Sequence, residues 1–260
     1  LAENYPSWSP YNYVLNNPCN KFDPDGQAPC CDYVFQANGA YTEIKTPATL
    51  PNRFFYEGQS LEKYAILRVG AMVYVEMAEG WALEKQRVAE IIRNRVVASN
   101  EYATRRFPKG EYGQTVEEVL EKKGSTGASV FQALDKPATK EKYDNALLGR
   151  FANNTEKASF LEALGVSINA FVNKTNAAGL AIQYNSPKRS PNKLEELTDP
   201  SSGKYVYTVT YPTGYANKDR KDMRLMTVKY AYDKYDTFLN NFLNSNSKID
   251  LEGGTYVKNN

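Results

Sequence analysis

The chain contains no histidine among its 260 residues. Histidine is the side chain that most often transfers protons in enzymes, so a carboxylate becomes the first candidate for that task. No apolar stretch approaches the roughly 20 residues that a membrane-spanning helix needs. The formal net charge of +2 provides no strong positive field of the kind that nucleic-acid binders carry. We therefore expect no membrane span and no nucleic-acid partner.

Cysteine is also scarce. The three cysteines are Cys19, Cys30 and Cys31, and a closed zinc site needs four ligands, so three cysteines without histidine make a poor metal set. We expect neither a metal nor a cofactor. A disulfide from Cys19 to Cys30 or Cys31 and a set of reduced thiols are both compatible with this pattern.

Tyrosine is abundant. The 20 tyrosines raise the aromatic content to 13%, and a tyrosine ring can pack against a sugar while its hydroxyl makes a hydrogen bond. The excess suits a carbohydrate groove or an ordinary tyrosine-rich core. The first residues lack the basic start and apolar centre of a signal peptide, and because the chain begins without methionine we expect it to be part of a longer protein.

The spacing of apolar residues predicts a mainly α (α+β) fold with a small β element near 205–211. Residues 1–52 are rich in proline and are predicted to be irregular, 53–243 to form one domain, and 244–260 to form a polar surface tail. The predicted helices cover 61–79, 83–99, 116–123, 140–151, 155–175 and 220–243. Ser60, Thr115 and Thr155 are predicted to cap three of them, and Gly80 to end the first.

Glu76 stands near the end of the first predicted helix, beside Tyr74, Val75 and Met77. Burial among apolar neighbours and the negative end of the helix dipole both disfavour an ionised carboxylate. We therefore expect a raised pKa for Glu76, as a general acid for glycosidic cleavage requires. Glu79 is a rival on the same face if the helix continues, Glu84 and Glu90 are expected to face solvent, and Asn94 and Arg95 to tie down loops.

Three sequence islands resemble the spore-cortex-lytic type of cell-wall hydrolase. The first is Val75-Glu-Met-Ala-Glu-Gly-Trp-Ala-Leu-Glu-Lys-Gln-Arg-Val-Ala-Glu-Ile-Ile-Arg-Asn-Arg-Val96, which aligns without a gap to the family's pattern of a helix ending in Glu-Ala-Arg, a turn, and a helix ending V-A-x-V-I-x-N-R-V. The second is Ala128-Ser-Val-Phe-Gln132, and the third is Gly179-Leu-Ala-Ile-Gln-Tyr-Asn-Ser-Pro187. Ala78 and Gly80 depart from the pattern, which has arginine and an acidic residue there.

The resemblance implies a lysozyme-like fold that cleaves peptidoglycan between N-acetylmuramic acid and N-acetylglucosamine. It implies that Glu76 is catalytic and that Phe131, Gln132, Tyr184 and Asn185 bind substrate. A lytic transglycosylase would use one glutamate as acid and then as base, whereas a muramidase would need a second carboxylate, for which Glu79 is the local candidate.

The N-terminal segment resembles the end of the Rhs/YD-repeat core of polymorphic toxins. It reads Tyr11-Asn-Tyr-Val-Leu-Asn-Asn-Pro18, followed by Phe22-Asp-Pro-Asp-Gly26, and in that family the sequence after D-P-x-G is the variable toxin. This implies an antibacterial effector carried by an Rhs shell, exported by a type VI or similar route, active in the periplasm or cell wall of a target bacterium, and matched by an immunity protein. Two alternatives stay open: a toxin of another class such as a nuclease, and an inactive peptidoglycan-binding module, which the changes at Ala78 and Gly80 favour.

Overall fold

The computed structural model describes residues 31–46, 51–62, 64–101, 113–123, 131–179, 181–185, 207–214, 222–227, 241–245, 248–249 and 256–257. Their fold is mainly α (α+β), as predicted. The segment 11–26 with the Rhs-like motif, together with Cys19 and Cys30, lies outside these residues. Cys31 is not in a disulfide: its buried thiol donates to Glu43 Oε1 at 3.0 Å.

Helices form the body of the described chain. They are α1 Ala65–Glu76, α2 Ala82–Glu101, α3 Val116–Glu121, a 3₁₀ turn Gln132–Asp135, α4 Pro137–Leu147 and α5 Asn154–Val172. The first five predicted helices are confirmed with shifted ends. Thr115 caps α3 as predicted, but α5 is capped by Asn153 rather than Thr155, and Ser60 lies in a strand rather than at the start of α1.

Helix α1 lies in the middle of the core. Nine of its twelve residues are buried, so it packs against neighbours on most of its circumference rather than along one stripe. Gly70 allows a close approach to α5, because a Cβ there would lie 2.9 Å from Leu164 Cδ1 and 3.0 Å from Leu164 Cα. Helix α1 is therefore a mostly buried helix that begins at Ala65 and ends with the half-buried Glu76.

A four-stranded sheet precedes the helices. Its strands are β1 Asp32–Phe35, β2 Tyr41–Ile44, β3 Arg53–Tyr56 and β4 Gln59–Ser60, in the order β2-β1-β3-β4 with β1 and β3 parallel. The prediction that residues 1–52 are irregular is therefore wrong for 32–44. Proline marks the flanks of these strands, whereas the strands themselves follow the alternation that buries Tyr33 and Phe35.

This sheet is part of the helical body. Phe54 contacts Phe160 of α5 with ring centroids 5.1 Å apart. The turn after β1 touches α5 backbone to backbone, since a Cβ on Gly39 would lie 2.2 Å from Gly165 O. The predicted boundary between 52 and 53 divides this sheet, so the folded unit begins before residue 53.

Short strands complete the fold. β5 Gln183–Asn185, β6 Tyr207–Pro212 and β7 Asp222–Thr227 form a sheet in the order β5-β7-β6, and β8 Lys248–Ile249 pairs with β9 Tyr256–Val257. The strand predicted near 205–211 is confirmed as β6. The helix predicted over 220–243 is wrong for 222–227, where Met223 and Leu225 are buried in β7; 228–240 lie outside the described residues, and 241–244 are helical. Ile249 is buried, so the predicted surface tail also contributes to the core.

Candidate active site

Glu76 is the last residue of α1, and its side chain is half-buried. Its Oε1 accepts a hydrogen bond from the backbone N–H of Ala133 at 3.1 Å. That N–H belongs to the 3₁₀ turn that begins at Gln132, the last residue of the second sequence island. The carboxylate is thus held at the edge of the core by a backbone donor whose position does not depend on side-chain rotamers.

The α1–α2 turn leaves the helical path directly after Glu76. Met77 is the C-cap of α1, and Gly80 N–H donates to Met77 O at 2.9 Å. Glu79 is exposed and lies beyond the helix end, so it does not share a helical face with Glu76. The carbonyl of Ala78 accepts from Ser159 Oγ at 2.9 Å, which fastens the turn to α5.

Glu84 is buried, contrary to the prediction that it faces solvent. Its Oε2 accepts from Trp81 N at 3.2 Å and its Oε1 from Gly214 N at 2.8 Å. The first bond is the reach-back of a helix-capping glutamate at α2. Burial raises the pKa of the Glu84 carboxyl, although the two backbone donors and the nearby cations oppose that rise.

The glycine at position 80 is explained by this arrangement. A Cβ on Gly80 would lie 2.7 Å from Glu84 Oε2 and 3.3 Å from the terminal methyl carbon of Met77. This chain therefore places a carboxylate against residue 80, but supplies it from the first turn of α2 instead of from position 80 itself.

Asn94 and Arg95 tie α2 to the third island, as predicted. Asn94 is fully buried, and its Nδ2 donates to Gly179 O at 2.9 Å and to Ala181 O at 3.0 Å. Arg95 Nε donates to Ile182 O at 2.7 Å. These contacts fix the chain that leads directly into β5.

Glu90 adds a further anchor to the same chain. It is fully buried, contrary to the prediction of a solvent-facing side chain, and accepts from Ala178 N at 2.5 Å. Gln86 Nε2 also donates to it at 2.9 Å. Glu84 and Glu90 were both predicted to face solvent. The prediction was wrong because Gly214 and Ala178, whose N–H groups bond to them, lie far away in the sequence.

Phe131 does not offer a surface for substrate. Its ring is 1% exposed, and the guanidinium carbon of Arg95 lies 4.9 Å from the ring centroid, which is a cation–π contact. The prediction that Phe131 binds substrate is therefore corrected: the ring forms core beside the Glu76 turn. Gln132 opens the 3₁₀ turn, but its side chain is not among those described.

Tyr184 and Asn185 lie in β5, where they pair with Leu225 and Arg224 of β7. Tyr184 is half-buried and packs against the hydrophobic core, so only part of its ring is left to contact a ligand. The side chain of Asn185 lies outside the described part of the chain. The substrate-binding roles of Gln132, Tyr184 and Asn185 stay predictions.

The three islands meet in space. Glu76 of the first contacts Ala133 next to the second, Arg95 of the first stacks on Phe131 of the second, and Asn94 and Arg95 bond to 179–182 of the third. Within the described residues, no group of three or more cysteine or acidic side chains is placed to hold a metal ion. Among the helices of the described residues, none combines the length and the apolar character that a membrane span needs.

The turn also contains a residue that the motifs did not single out. Trp81 precedes α2, and 57% of its surface is exposed, which is unusual for so large an apolar side chain. The Trp81 ring lies against Gly214, which follows β6. The sequence around Gly214 has no recognisable signal beyond a Pro-Thr-Gly turn.

Comparison with models of known protein families, with curated proteins and with solved structures finds no match to this chain. Function is therefore inferred from the motif residues and from the contacts between them.

Proposed function

We propose that this chain is the toxin end of an Rhs-type polymorphic toxin and that it cleaves the glycan strands of peptidoglycan between N-acetylmuramic acid and N-acetylglucosamine. In this proposal the domain is lysozyme-like and Glu76 is its general acid and base. The observation that carries the proposal is that the three motif islands contact one another: Glu76 bonds to the turn beside the second island, Arg95 stacks on Phe131, and Asn94 and Arg95 bond to the third island. Islands that matched by coincidence would have no reason to contact one another.

The chemistry needs one carboxyl group that changes protonation state during the cycle. Protonated Glu76 donates its proton to the glycosidic oxygen, and the bond from that oxygen to the muramyl C1 breaks with its electron pair moving to the oxygen. The resulting Glu76 carboxylate accepts the proton of the muramyl 6-hydroxyl as its oxygen bonds to C1. The products are a 1,6-anhydromuramyl end and a new free 4-hydroxyl, and Glu76 is protonated again.

The neighbouring acids favour this single-carboxylate route. Glu84 and Glu90 are buried and both oxygens of each accept hydrogen bonds, from backbone N–H groups and, for Glu90, also from Gln86 Nε2, so neither is placed to activate water. Glu79 is exposed beyond the end of α1. We therefore propose anhydro-forming cleavage as the reaction; a muramidase would need a second carboxylate, for which the sequence offers Glu79 as the local candidate.

The test is release of soluble muropeptides from purified sacculi. We expect Glu76→Gln to lower release by at least about 10²-fold, the usual contribution of a general acid, while Glu141→Gln on the exposed face of α4 leaves it unchanged. Mass spectrometry should find 1,6-anhydro ends, and Glu79→Gln should then retain activity. Unchanged release by Glu76→Gln would refute the catalytic role, and sacculus binding without release by the wild type would indicate a binding module.

The biological setting is a second part of the proposal and rests on the Rhs-like segment 11–26. The Rhs shell would carry the domain to a type VI or similar secretion route, and a cognate immunity protein would cover or distort the Glu76 turn. Expression in a Gram-negative bacterium should inhibit growth when the domain is directed to the periplasm and not when it stays in the cytoplasm. Degradation of DNA or RNA by the purified domain would point instead to a nuclease toxin.

A further inference from the structure

Trp81 is an exposed aromatic side chain in the turn that follows the candidate catalytic residue Glu76. It lies in the α1–α2 turn, five positions after Glu76, and is 57% exposed. Leaving a tryptophan in water forgoes the stabilisation that its burial would give. Within the described chain it is the most exposed of the large hydrophobic side chains.

The backbone around Trp81 is fixed by a buried carboxylate. Glu84 accepts from the N–H of Trp81 itself and from the N–H of Gly214, which belongs to the chain leaving β6. One side chain that is 1% exposed therefore joins the first turn of α2 to the β5-β7-β6 sheet. These two hydrogen bonds of Glu84 fix the backbone at Trp81.

The ring itself rests on glycine. A Cβ on Gly214 would lie 2.6 Å from both Trp81 Cδ1 and Trp81 Nε1, and 3.0 Å from Cγ, so a larger residue at 214 would displace the indole. The five-membered part of the ring thus lies against backbone, while more than half of the side-chain surface faces outward. An aromatic side chain that is supported on one side and more than half exposed offers a stacking surface that needs little rearrangement to bind a ligand.

We infer that Trp81 forms a carbohydrate subsite of the proposed glycan-cleaving site, where one neutral pyranose ring stacks on the indole. This inference rests on the proposed function and extends it to a named binding residue. A pyranose presents a face of C–H groups that suits the indole surface. The occupant we propose is a neutral sugar such as N-acetylglucosamine, because the proposed glycan substrate supplies that ring.

Fluorescence isolates this residue, because the chain has two tryptophans, Trp8 and Trp81. In the full chain carrying Trp8→Phe and Glu76→Gln, Trp81 is the sole tryptophan and turnover is blocked. Titration with chitin tetrasaccharide should shift or quench its emission saturably. Adding Trp81→Ala should weaken binding about tenfold, measured by calorimetry, which is the scale of one aromatic stacking contact.

Matched variants separate stacking from general effects on the turn. With Glu76 intact, Trp81→Ala should raise KM for sacculi about tenfold, and Trp81→Phe should recover part of the loss. Gly214→Ala should act in the same direction as Trp81→Ala by displacing the ring. Leu83→Ala, which removes an exposed apolar side chain two positions away, should change KM by less than about twofold.

The outcomes distinguish this inference from the proposed function. If Glu76→Gln abolishes muropeptide release but Trp81→Ala changes neither KM nor oligosaccharide affinity, the subsite is refuted and the glycan-cleaving function stands. If the wild type releases no muropeptides but Trp81 emission responds saturably to chitin tetrasaccharide, the subsite stands and the catalytic proposal fails. If the wild type releases no muropeptides and Trp81 emission does not respond to chitin tetrasaccharide, both proposals are refuted.

Discussion

Replacing Asn94 with alanine tests the hydrogen bonds that join the third island to α2. Asn94 is fully buried, and its amide bridges the carbonyls of Gly179 and Ala181 while its Oδ1 accepts from Arg93. The substitution leaves two carbonyl oxygens without this donor. Arg93 keeps its bonds to the carbonyls of Ala170 and Thr175 and so loses less.

The size of the effect follows from the burial of each carbonyl. A buried polar group left without a partner costs about 1–3 kcal/mol. We assign about 1 kcal/mol to Gly179 O, whose bond is partly buried, and about 2 kcal/mol to Ala181 O, whose bond is buried. The free energy of unfolding should therefore fall by about 3 kcal/mol, equivalent to a fall in Tm of about 9 °C for a domain of this size.

Urea denaturation followed by circular dichroism measures this change. Asn100→Ala is the matched control, because Asn100 Nδ2 also bridges two carbonyls, of Val96 and Gln114, but the residue is only half-buried and water can replace it. We expect about 1 kcal/mol for that control. A loss for Asn94→Ala below about 1 kcal/mol, or no larger than the loss for Asn100→Ala, would show that Asn94 does not hold the third island to α2.

Two further perturbations test the scaffold and the pH response. Gly39→Ala should destabilise the fold by more than about 3 kcal/mol, because the new Cβ meets Gly165 O; Gly58→Ala, with a similar positive φ but open space, should cost about 1 kcal/mol. A thermal melt in which both variants lose the same stability would contradict the close approach of the sheet to α5. For Glu84, burial raises the folded-state pKa above its ordinary value of 4.5, so the folded protein binds the proton more tightly than the unfolded chain. Its contribution to stability is present below pH 4.5 and is lost as pH rises through the raised pKa. Denaturation at a series of pH values should therefore show a fall in stability above pH 4.5 that Glu84→Gln reduces, and parallel profiles for the two proteins would contradict the shift.

Local sequence patterns predicted the helices well. Apolar spacing located α1, α2 and α5, because helical periodicity is a property of consecutive residues. The predicted ends of the helices were less accurate. Ser60, a good capping residue, lies in the edge strand β4 instead of at the start of α1. The N-terminal strands were missed because short strands next to prolines carry a weak local signal.

The burial of acidic residues could not be read from the sequence. Glu84 and Glu90 lie on the polar face that the apolar spacing of α2 predicts. Both are nevertheless buried, and they accept hydrogen bonds from the backbone N–H groups of Gly214 and Ala178, respectively. The strand 222–227 was mistaken for a helix because its pairing partners, β5 and β6, lie elsewhere in the chain. Hydrogen bonds between distant segments determine such features, and periodicity within one segment does not encode them.

The sequence by itself determined the helical class, the existence of α1 and the loop-binding role of Asn94 and Arg95, because each depends on neighbours in the chain or on the chemistry of one side chain. The predicted end of the first helix at Gly80 was wrong, since α1 ends at Glu76. Only the tertiary structure decided that Glu76 bonds to the turn beside the second island, that Phe131 belongs to the core, and that the exposed Trp81 packs against Gly214. These depend on distances between residues up to about 130 positions apart, as in the bond between Glu84 and Gly214, and such distances exist only after the chain has folded.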